Sequence, residues 1–180
     1  MKLYFYGSES LSQTENQLIE SPTEKEIEYL LQVEEKMLQV MNHFGVSGLA
    51  APQIGEPLQM VVVKRAGGDK VTILNPEITQ MYGGEFNYPE SCISCPPIGS
   101  GCETPRMQNI TVVGRTIERP NKDKKWHFTS SDARVVQHEI DHLVGTFFFE
   151  RANLVEGAHV IERFHQWKKT FKNSGIGFPY

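Results

Sequence analysis

The chain has 180 residues, of which 39% are hydrophobic and 22% are charged. We expect residues 1–180 to form a single domain, because this length buries a sizeable core and the composition is ordinary for a globular protein. The net charge of −4 argues against a nucleic-acid-binding surface, and no apolar run is long enough to cross a membrane. No signal-peptide pattern opens the chain. The expected location is therefore the cytoplasm, or an organellar stroma or matrix if a targeting segment precedes this sequence.

The first third of the chain predicts a short strand, a long helix and a loop of small residues. Residues 2–6 are apolar enough for the strand. The run Ser21-Pro22-Thr23-Glu24 is typical of a helix start, with Ser21 as the cap and the glutamate completing a capping box. Apolar residues then recur with helical spacing, and the helix is expected to end before Gly45. Residues 48–55 follow as the loop.

The middle of the chain predicts strands, separated by turns and by one long irregular loop. Residues 82–106 are rich in Gly, Pro, Ser and Cys, and we expect them to form this loop as part of a functional site. Asn75-Pro76 is expected to end the strand that precedes it. The predicted strands cover residues 58–64, 71–74, 109–116 and 125–128.

The last third predicts two helices. Thr129 or Ser130 is expected to cap a helix that runs to about residue 144. Residues 147–149 are three phenylalanines, which indicate a buried strand or another part of the core, and residues 155–171 predict an amphipathic helix. Because the strands cluster and do not alternate with helices, the predicted class is α+β.

The run Gln137-His138-Glu139-Ile140-Asp141-His142 carries the strongest chemical signal in the sequence. On a helix, residues four positions apart share a face, so His138 and His142 can bind one metal ion. Glu139 is close enough to reach a water on that ion, and a divalent metal lowers the pKa of such a water to about 7. Apolar neighbours indicate that this helix is mostly buried, and buried imidazoles need partners. The pattern predicts metal-assisted hydrolysis of an amide or ester.

The spacing of these residues leaves the third metal ligand open. A catalytic site of this type keeps three protein ligands and one open position. Phe148 occupies the position at which a longer zinc-protease motif places its third histidine, and the odd number of cysteines argues against a disulfide framework. The candidates are the thiols of Cys92, Cys95 and Cys102, the imidazoles of His127, His159 and His165, and the carboxylates of Glu150, Glu156 and Glu162.

Three segments of the chain resemble the peptide deformylase family, in the family's order and spacing. They are Gly48-Leu49-Ala50-Ala51-Pro52-Gln53, which matches G-x-A-A-P-Q, Glu90-Ser91-Cys92-Ile93-Ser94, which matches E-G-C-L-S, and Gln137-His138-Glu139-Ile140-Asp141-His142-Leu143, which matches Q-H-E-x-D-H-L. The resemblance covers roughly residues 23–150 and implies the family's fold. In that fold, mixed or antiparallel sheets surround a central helix that carries the H-E-x-x-H residues.

The resemblance also implies a metal site. Cys92, His138 and His142 become the expected ligands, and Glu139 becomes the general acid and base. The family's usual metal is Fe²⁺, which Zn²⁺, Ni²⁺ or Co²⁺ can replace. One thiolate and two neutral imidazoles leave a net charge of +1 on a divalent ion, which is still acidic enough to activate water.

The implied reaction removes the N-formyl group from the formyl-methionine of newly made polypeptides, so association with the ribosome is a further expectation. Metal-bound hydroxide attacks the formyl carbon, and Glu139 passes a proton to the leaving amine. The Gln53 side-chain amide and the Ile93 N–H stabilise the oxyanion. The peptide lies extended along an exposed strand edge, which the absence of a side chain at Gly48 lets it approach. The expected substrate contacts are Ser47, Gly48, Glu90, Ser91 and Arg106, although an ion pair inside the protein is an equal alternative for Arg106.

The sequence departs from the family's pattern beside the expected substrate. Val46 and Ser91 stand where the family usually has glycine, so the loop must shift if either position needs a positive φ. Ser47 stands where a bulky aliphatic residue often lines the methionine pocket. Two other functions therefore stay open. One is a hydrolase of the same fold that acts on another N-acylated amine or peptide, and the other is a non-catalytic metal-binding protein.

Overall fold

The computed structural model describes residues 3–12, 16–97 and 101–173. The strands form a five-stranded antiparallel sheet in the order β1-β2-β3-β4-β5, which confirms the predicted α+β class. None of the helices in the described ranges has the length and apolar character needed to cross a membrane. In chain order the elements are α1 (Glu9–Ser12), α2 (Glu24–Phe44), β1 (Gly48–Ala50), a 3₁₀ turn (Ala51–Ile54), β2 (Met60–Lys64), β3 (Lys70–Glu90), β4 (Cys102–Thr116), β5 (Arg119–Thr129), α3 (Ser130–Leu143), α4 (Phe148–Arg151) and α5 (Leu154–Asn173).

Helix α3 is the central helix, and its two sides have different chemistry. Ala133, Val136 and Leu143 pack into an apolar cluster with side chains of β2, β4 and β5. His138 and His142 lie on the opposite side, because each turn of a helix takes 3.6 residues. Burial of the apolar side against the sheet therefore fixes the direction in which both histidines point.

Strand β3 is much longer than the sequence predicts. It pairs with β2 only from Lys70 to Leu74, but it pairs with β4 as far as Glu90. Asn75 does not end the strand. It adopts a positive φ of 49° at a register shift, and its side chain exchanges hydrogen bonds with the main chain of Ile19. These bonds hold the bend, and the strand continues beyond it.

The prediction of an irregular loop at residues 82–106 is wrong for most of these residues. Residues 82–90 belong to β3 and residues 102–106 to β4. Only the connection between them is irregular in the described residues, and residues 98–100 lie outside the described ranges. In the outer part of the hairpin, alternate residues of β4 are buried, but residues 79–87 of β3 are exposed on both faces. The sequence of this part of β3 therefore lacks the alternation of a half-buried strand.

Two shorter predictions are also wrong in detail, and a third is confirmed. The cap of α2 is Thr23, whose side chain accepts from the Glu26 N–H while the Glu26 carboxylate accepts from the Thr23 N–H. The described part of the predicted strand at residues 2–6 is not a strand, although the Tyr4 N–H donates to the Gln53 carbonyl. The phenylalanines at 147–149 belong to the core, which confirms that alternative of the prediction, and a short helix begins at Phe148 where the other alternative was a strand.

Candidate metal centre

Three side chains from two distant parts of the sequence converge on one point. The ligand atoms of Cys92, His138 and His142 all lie within 4.8 Å of one another, and no other group of this kind occurs in the described ranges. The Cys92 Sγ is 3.3 Å from the His142 Nε2. Helix α3 supplies the two imidazoles, and the turn that follows β3 supplies the thiol. Cys95 and Cys102 are buried nearby but do not belong to the group.

The ring of His138 is oriented by the carboxylate of Glu90. The His138 Nδ1 lies 2.9 Å from the Glu90 Oε2. Because the pKa of Glu90 is lowered to about 2 by hydrogen bonds from His138 and Arg106, which outweigh the opposite effect of burial, the carboxylate is ionised and accepts. The proton of the imidazole therefore lies on Nδ1, and the lone pair on Nε2 is free to bind a metal.

Arg106 joins Glu90 to the helix that carries the histidines. Its Nε and Nη2 each donate to the Glu90 carboxylate at 2.9 Å, and its Nη1 donates to the Asp141 Oδ2 at 2.6 Å. Asp141 also accepts from Arg151 of helix α4. We call Glu90, Arg106, Asp141 and Arg151 the charge network. Arg106 is only 2% exposed and does not line the cavity described below, so the structure places it behind the histidines, in ion pairs.

His142 is held by packing. Its ring centroid lies 5.1 Å from that of Phe147 and 5.0 Å from that of His138. Burial lowers the pKa of His142 well below its usual value, which keeps this imidazole neutral. The pKa of His138 is raised despite its burial, because Cys92 and Glu90 both favour a positive charge there.

These residues fit a divalent metal ion. Their donor set is one sulfur and two imidazole nitrogens, which suits zinc and the later first-row metals. In a tetrahedral site with bonds of about 2.0–2.3 Å, neighbouring donors are about 3.5 Å apart, close to the spacing of Cys92 and His142.

Glu139 lies next to the metal ligands without joining them. It is 4% exposed, and burial raises its pKa to about 7. Its Oε2 has no hydrogen-bond partner among the described residues. A buried carboxyl group with this pKa can both accept and release a proton near neutral pH.

The amide of Gln53 has a fixed orientation. Its Oε1 accepts from the Ala50 N–H at 2.8 Å, so its NH₂ group faces the other way. That group lies 3.1 Å from the Ser94 Oγ and 3.6 Å from the Cys92 Sγ. The donor of Gln53 is therefore aimed at the metal ligands.

A cavity of about 230 Å³ opens above these groups. Three parts of the protein form its walls: the segment around β1, the turn that follows β3, and one side of α3. Sequence reasoning missed Pro89, Arg134 and Val135 on these walls. The helical spacing of Arg134 and Val135, one turn before His138 and Glu139, would have indicated them. The predicted residues that line the cavity are Ser47, Gly48, Gln53, Glu90, Ser91, Cys92, Ile93, His138 and Glu139.

Gly48 has a second reason to be glycine. A Cβ at this position would lie 2.5 Å from the Glu139 Oε1 and 2.6 Å from the Val135 Cγ1. The missing side chain therefore makes room for helix α3, in addition to any room it leaves for a substrate. Neither Val46 nor Ser91 has a positive φ, so the two departures from glycine need no shift of the backbone.

The remaining candidate ligands lie apart from this group. Burial, together with the nearby Cys92 and Cys102, raises the pKa of Cys95 to about 12. Its thiol therefore keeps its proton and packs in an aromatic cluster. His127 is exposed on β5 beside the Thr111 hydroxyl. His159 and His165 lie on α5.

The chain is similar in sequence and structure to known peptide deformylases. The sequence model of the polypeptide deformylase family matches residues 1–157. The peptide deformylase of Dictyoglomus thermophilum is 36% identical over 129 residues, which are 72% of this chain and 80% of that protein. The peptide deformylase of Bartonella tribocorum is 32% identical over 157 residues, which are 84% of this chain and 86% of that protein.

Solved structures show the same likeness. The inhibitor complex of Arabidopsis thaliana peptide deformylase 1B matches with a TM-score of 0.82 at 28% identity, over 100% of this chain and 97% of that chain. The peptide deformylase of Thermus thermophilus matches with a TM-score of 0.81 at 28% identity, over 96% of this chain and 97% of that chain.

Replacing Gly48 with alanine is expected to destabilise the protein by about 1–3 kcal/mol, because overpacking forces neighbouring side chains out of their preferred rotamers. Gly67→Ala is the control, since a Cβ there meets nothing within 4 Å. Urea unfolding followed by circular dichroism measures both free energies of unfolding. Equal costs for the two substitutions would contradict the close approach of Gly48 and Glu139.

Replacing Arg106 with alanine is expected to lower the free energy of unfolding by about 3–5 kcal/mol, because two buried carboxylates lose the positive charge that they share. Arg115→Ala is the matched control. Arg115 pairs with Asp123, whose side chain is 69% exposed, and such surface pairs contribute less than about 1 kcal/mol. Both free energies come from urea denaturation at pH 7. If Arg106→Ala lowered the free energy of unfolding as little as the control does, the claim that the charge network stabilises the fold would be wrong.

Proposed function

The chain belongs to the peptide deformylase family, and on that premise we propose how its own residues remove the N-formyl group from newly made polypeptides. The observation that carries the proposal is the meeting of Cys92, His138 and His142 next to a cavity that Cys92 and His138 line, together with the buried carboxyl of Glu139. A structural metal site needs neither a cavity nor an adjacent carboxyl group with a raised pKa.

We propose that Cys92, His138 and His142 hold one divalent ion, and that this ion is Fe²⁺, with Zn²⁺, Ni²⁺ or Co²⁺ able to replace it. When bound, such an ion lowers the pKa of a water and polarises the formyl carbonyl. The chain's contribution is to keep the donors in place. Glu90 holds the His138 ring, and the Ser94 N–H and the Gln53 amide both point at the Cys92 sulfur.

The formylated peptide binds as an added strand beside β1. Gly48 pairs with Val63 of β2, and the Lys64 N–H donates to the Ser47 carbonyl. Hydrogen-bonded and non-bonded positions alternate along an antiparallel pair, so the N–H and C=O of Gly48 face away from β2. They lie on the cavity wall and are available to an extended peptide.

Glu139 carries the proton. It accepts a proton from the water that attacks the formyl carbon and then gives a proton to the nitrogen that leaves. Its pKa of about 7, which results from burial, matches both halves of this task at neutral pH. One carboxyl group therefore takes the proton from the attacking water and also gives a proton to the leaving nitrogen.

The developing negative charge on the formyl oxygen needs donors that are already in place. The Gln53 NH₂ group is one, because the Ala50 N–H fixes its direction. The Ile93 N–H is the other, since Ile93 lines the cavity next to Cys92. Both donors are part of the protein that surrounds the metal ligands, so they need little rearrangement during the reaction.

The identity of the substrate also indicates where in the cell the enzyme acts. Because newly made polypeptides are the substrate, we propose that the protein associates with ribosomes, in the cytoplasm or in an organelle. A relative from Oryza sativa, 31% identical over 144 residues, is a chloroplastic peptide deformylase 1B. Co-sedimentation with ribosomes at low and high salt tests the association, and recovery only in the ribosome-free fraction would overturn it.

Glu139→Gln is expected to reduce kcat/KM for formyl-Met-Ala-Ser by a factor of about 10²–10⁴, the usual loss for a missing acid–base group. Metal content should stay at the wild-type level, because Glu139 is not in the ligand group. The assay uses anaerobically purified protein loaded with iron or nickel, and Glu77→Gln on the exposed part of β3 is the control. Wild-type turnover by the Glu139 variant would overturn its role. A wild-type protein that holds the metal but releases no formate would instead favour another N-acylated substrate.

Aerobic storage is expected to abolish the activity of the iron-loaded protein and to spare the nickel-loaded protein. Fe²⁺ oxidises readily in air, whereas Ni²⁺ resists oxidation, and the Cys92 thiolate is common to both forms, so the metal makes the difference. Residual kcat/KM is followed over time in air and under argon. Equal survival of the two forms in air would contradict Fe²⁺ as the native ion.

A further inference from the structure

Two cysteines lie in one tight turn after β3, and the mechanism proposed above uses only one of them. The Cys95 N–H donates to the Cys92 carbonyl at 3.0 Å, so these residues are the first and last of a β-turn. The Cα atoms at the ends of such a turn lie less than about 7 Å apart, and disulfides join Cα atoms about 4.4–6.8 Å apart. The ends of this turn are therefore close enough for a disulfide between Cys92 and Cys95.

The thiol of Cys95 is held next to the metal ligands without being one of them. Cys92 and Cys95 belong to one buried cluster, but only Cys92 belongs to the ligand group. Burial is the main cause of the raised pKa of Cys95, and the nearby Cys92 adds to it, so the two sulfurs are neighbours. The Tyr6 N–H donates to the Ser94 carbonyl at 2.8 Å and holds the turn in place.

The two thiols differ in their access to small molecules. Cys92 lines the cavity, whereas Cys95 does not line it and is only 2% exposed. A small oxidant that enters the cavity therefore meets Cys92 first. Cys95 approaches the Cys92 sulfur from the protein side, so a group that it displaces from that sulfur leaves toward the cavity.

We propose that Cys92 and Cys95 are a redox-modification site, at which hydrogen peroxide forms a reversible disulfide when no metal is bound. The inference rests on the proposed metal site and extends it to the metal-free form of the protein. A bound ion keeps the Cys92 sulfur as its ligand and prevents the reaction. The disulfide withholds one of three ligands from the metal, but it protects Cys92 from oxidation to sulfinic and sulfonic acids, which dithiols do not reduce.

The proposed reaction has two steps. The Cys92 thiolate attacks one oxygen of hydrogen peroxide, the O–O bond breaks, and a sulfenic acid and hydroxide form. The Cys95 sulfur then attacks the Cys92 sulfur and breaks its S–O bond, and the hydroxide that leaves takes the Cys95 proton to become water. The two thiols together lose two electrons, and the peroxide becomes two water molecules. A dithiol such as dithiothreitol reduces the disulfide back to two thiols and is itself oxidised to a disulfide.

The test maps the disulfide in metal-free and Zn²⁺-loaded protein after treatment with hydrogen peroxide. The remaining thiols are alkylated in denaturant and located by tandem mass spectrometry. The chain has three thiols, and we expect the metal-free protein to retain only that of Cys102, whereas the Zn²⁺-loaded protein retains all three over the same time. A disulfide between Cys95 and Cys102, or equally fast oxidation with and without Zn²⁺, would overturn the inference.

Cys95→Ala and Cys102→Ala are a matched pair of variants, because both thiols are buried and neither is in the ligand group. Each metal-free protein is treated with peroxide, then with dithiothreitol, and its Zn²⁺ content is measured after dialysis. The wild type and Cys102→Ala are expected to bind about one Zn²⁺ per chain again. Cys95→Ala is expected to bind none, with Cys92 found as sulfinic or sulfonic acid. Equal recovery by the two variants would contradict the protective role of Cys95.

These readouts separate the inference from the proposed function. If the reduced wild type binds no Zn²⁺, the proposed metal site fails, and the mass spectra still show whether the disulfide forms. If the wild type binds Zn²⁺ and deformylates peptides but forms no disulfide between Cys92 and Cys95, the function stands and the inference alone is overturned. The disulfide map uses the wild type, so its result does not depend on whether a variant folds.

Discussion

The placement of Arg106 between two buried carboxylates is the interaction on which the rest of the site depends. It brings Glu90 at the end of β3 and Asp141 on α3 to one guanidinium from β4. Burying these charges is costly, and only close pairing with full hydrogen bonding offsets the loss of solvation. Arg106 can pair with both carboxylates only when the β3–β4 hairpin and helix α3 are in their native positions relative to each other. Glu90 then orients His138, and Cys92, two residues later, faces the same point.

A second constraint is the tight packing between β1 and α3. Gly48 leaves no side chain between the strand and Glu139, so the carboxyl group is enclosed by protein. Enclosure raises its pKa to about 7, and the same close approach places the edge of β1 beside the metal ligands. One contact thus sets both the proton affinity of the catalytic group and the place where a peptide docks.

The parts of the site that the sequence predicted well are those with local patterns. The histidines and the glutamate lie within one helix, and their spacing alone predicts a shared face. Cys92 lies 46 positions before His138 in the printed sequence, so spacing could not select it from the other thiols, and only the family resemblance did. The partners of Arg106 lie 16 and 35 positions away, which is why its ion pairs were only one of two alternatives. The β3–β4 hairpin was missed for a different reason. Residues 79–87 of β3 are exposed on both faces, and solvent imposes no alternation on such a segment.

The most direct test of this account is the affinity of the metal site when Glu90 loses its charge. Zn²⁺ affinity is measured by competition with a chromophoric chelator for wild type, Glu90→Gln and Asp141→Asn, under conditions in which all three are folded. Both substitutions remove one charge from the charge network, but only Glu90 contacts His138. The account predicts that Glu90→Gln weakens binding about 10- to 100-fold, the effect typical of losing a residue that orients a ligand, and that Asp141→Asn weakens it much less. Equal affinities in all three proteins would contradict the claim that the buried charges organise the metal ligands.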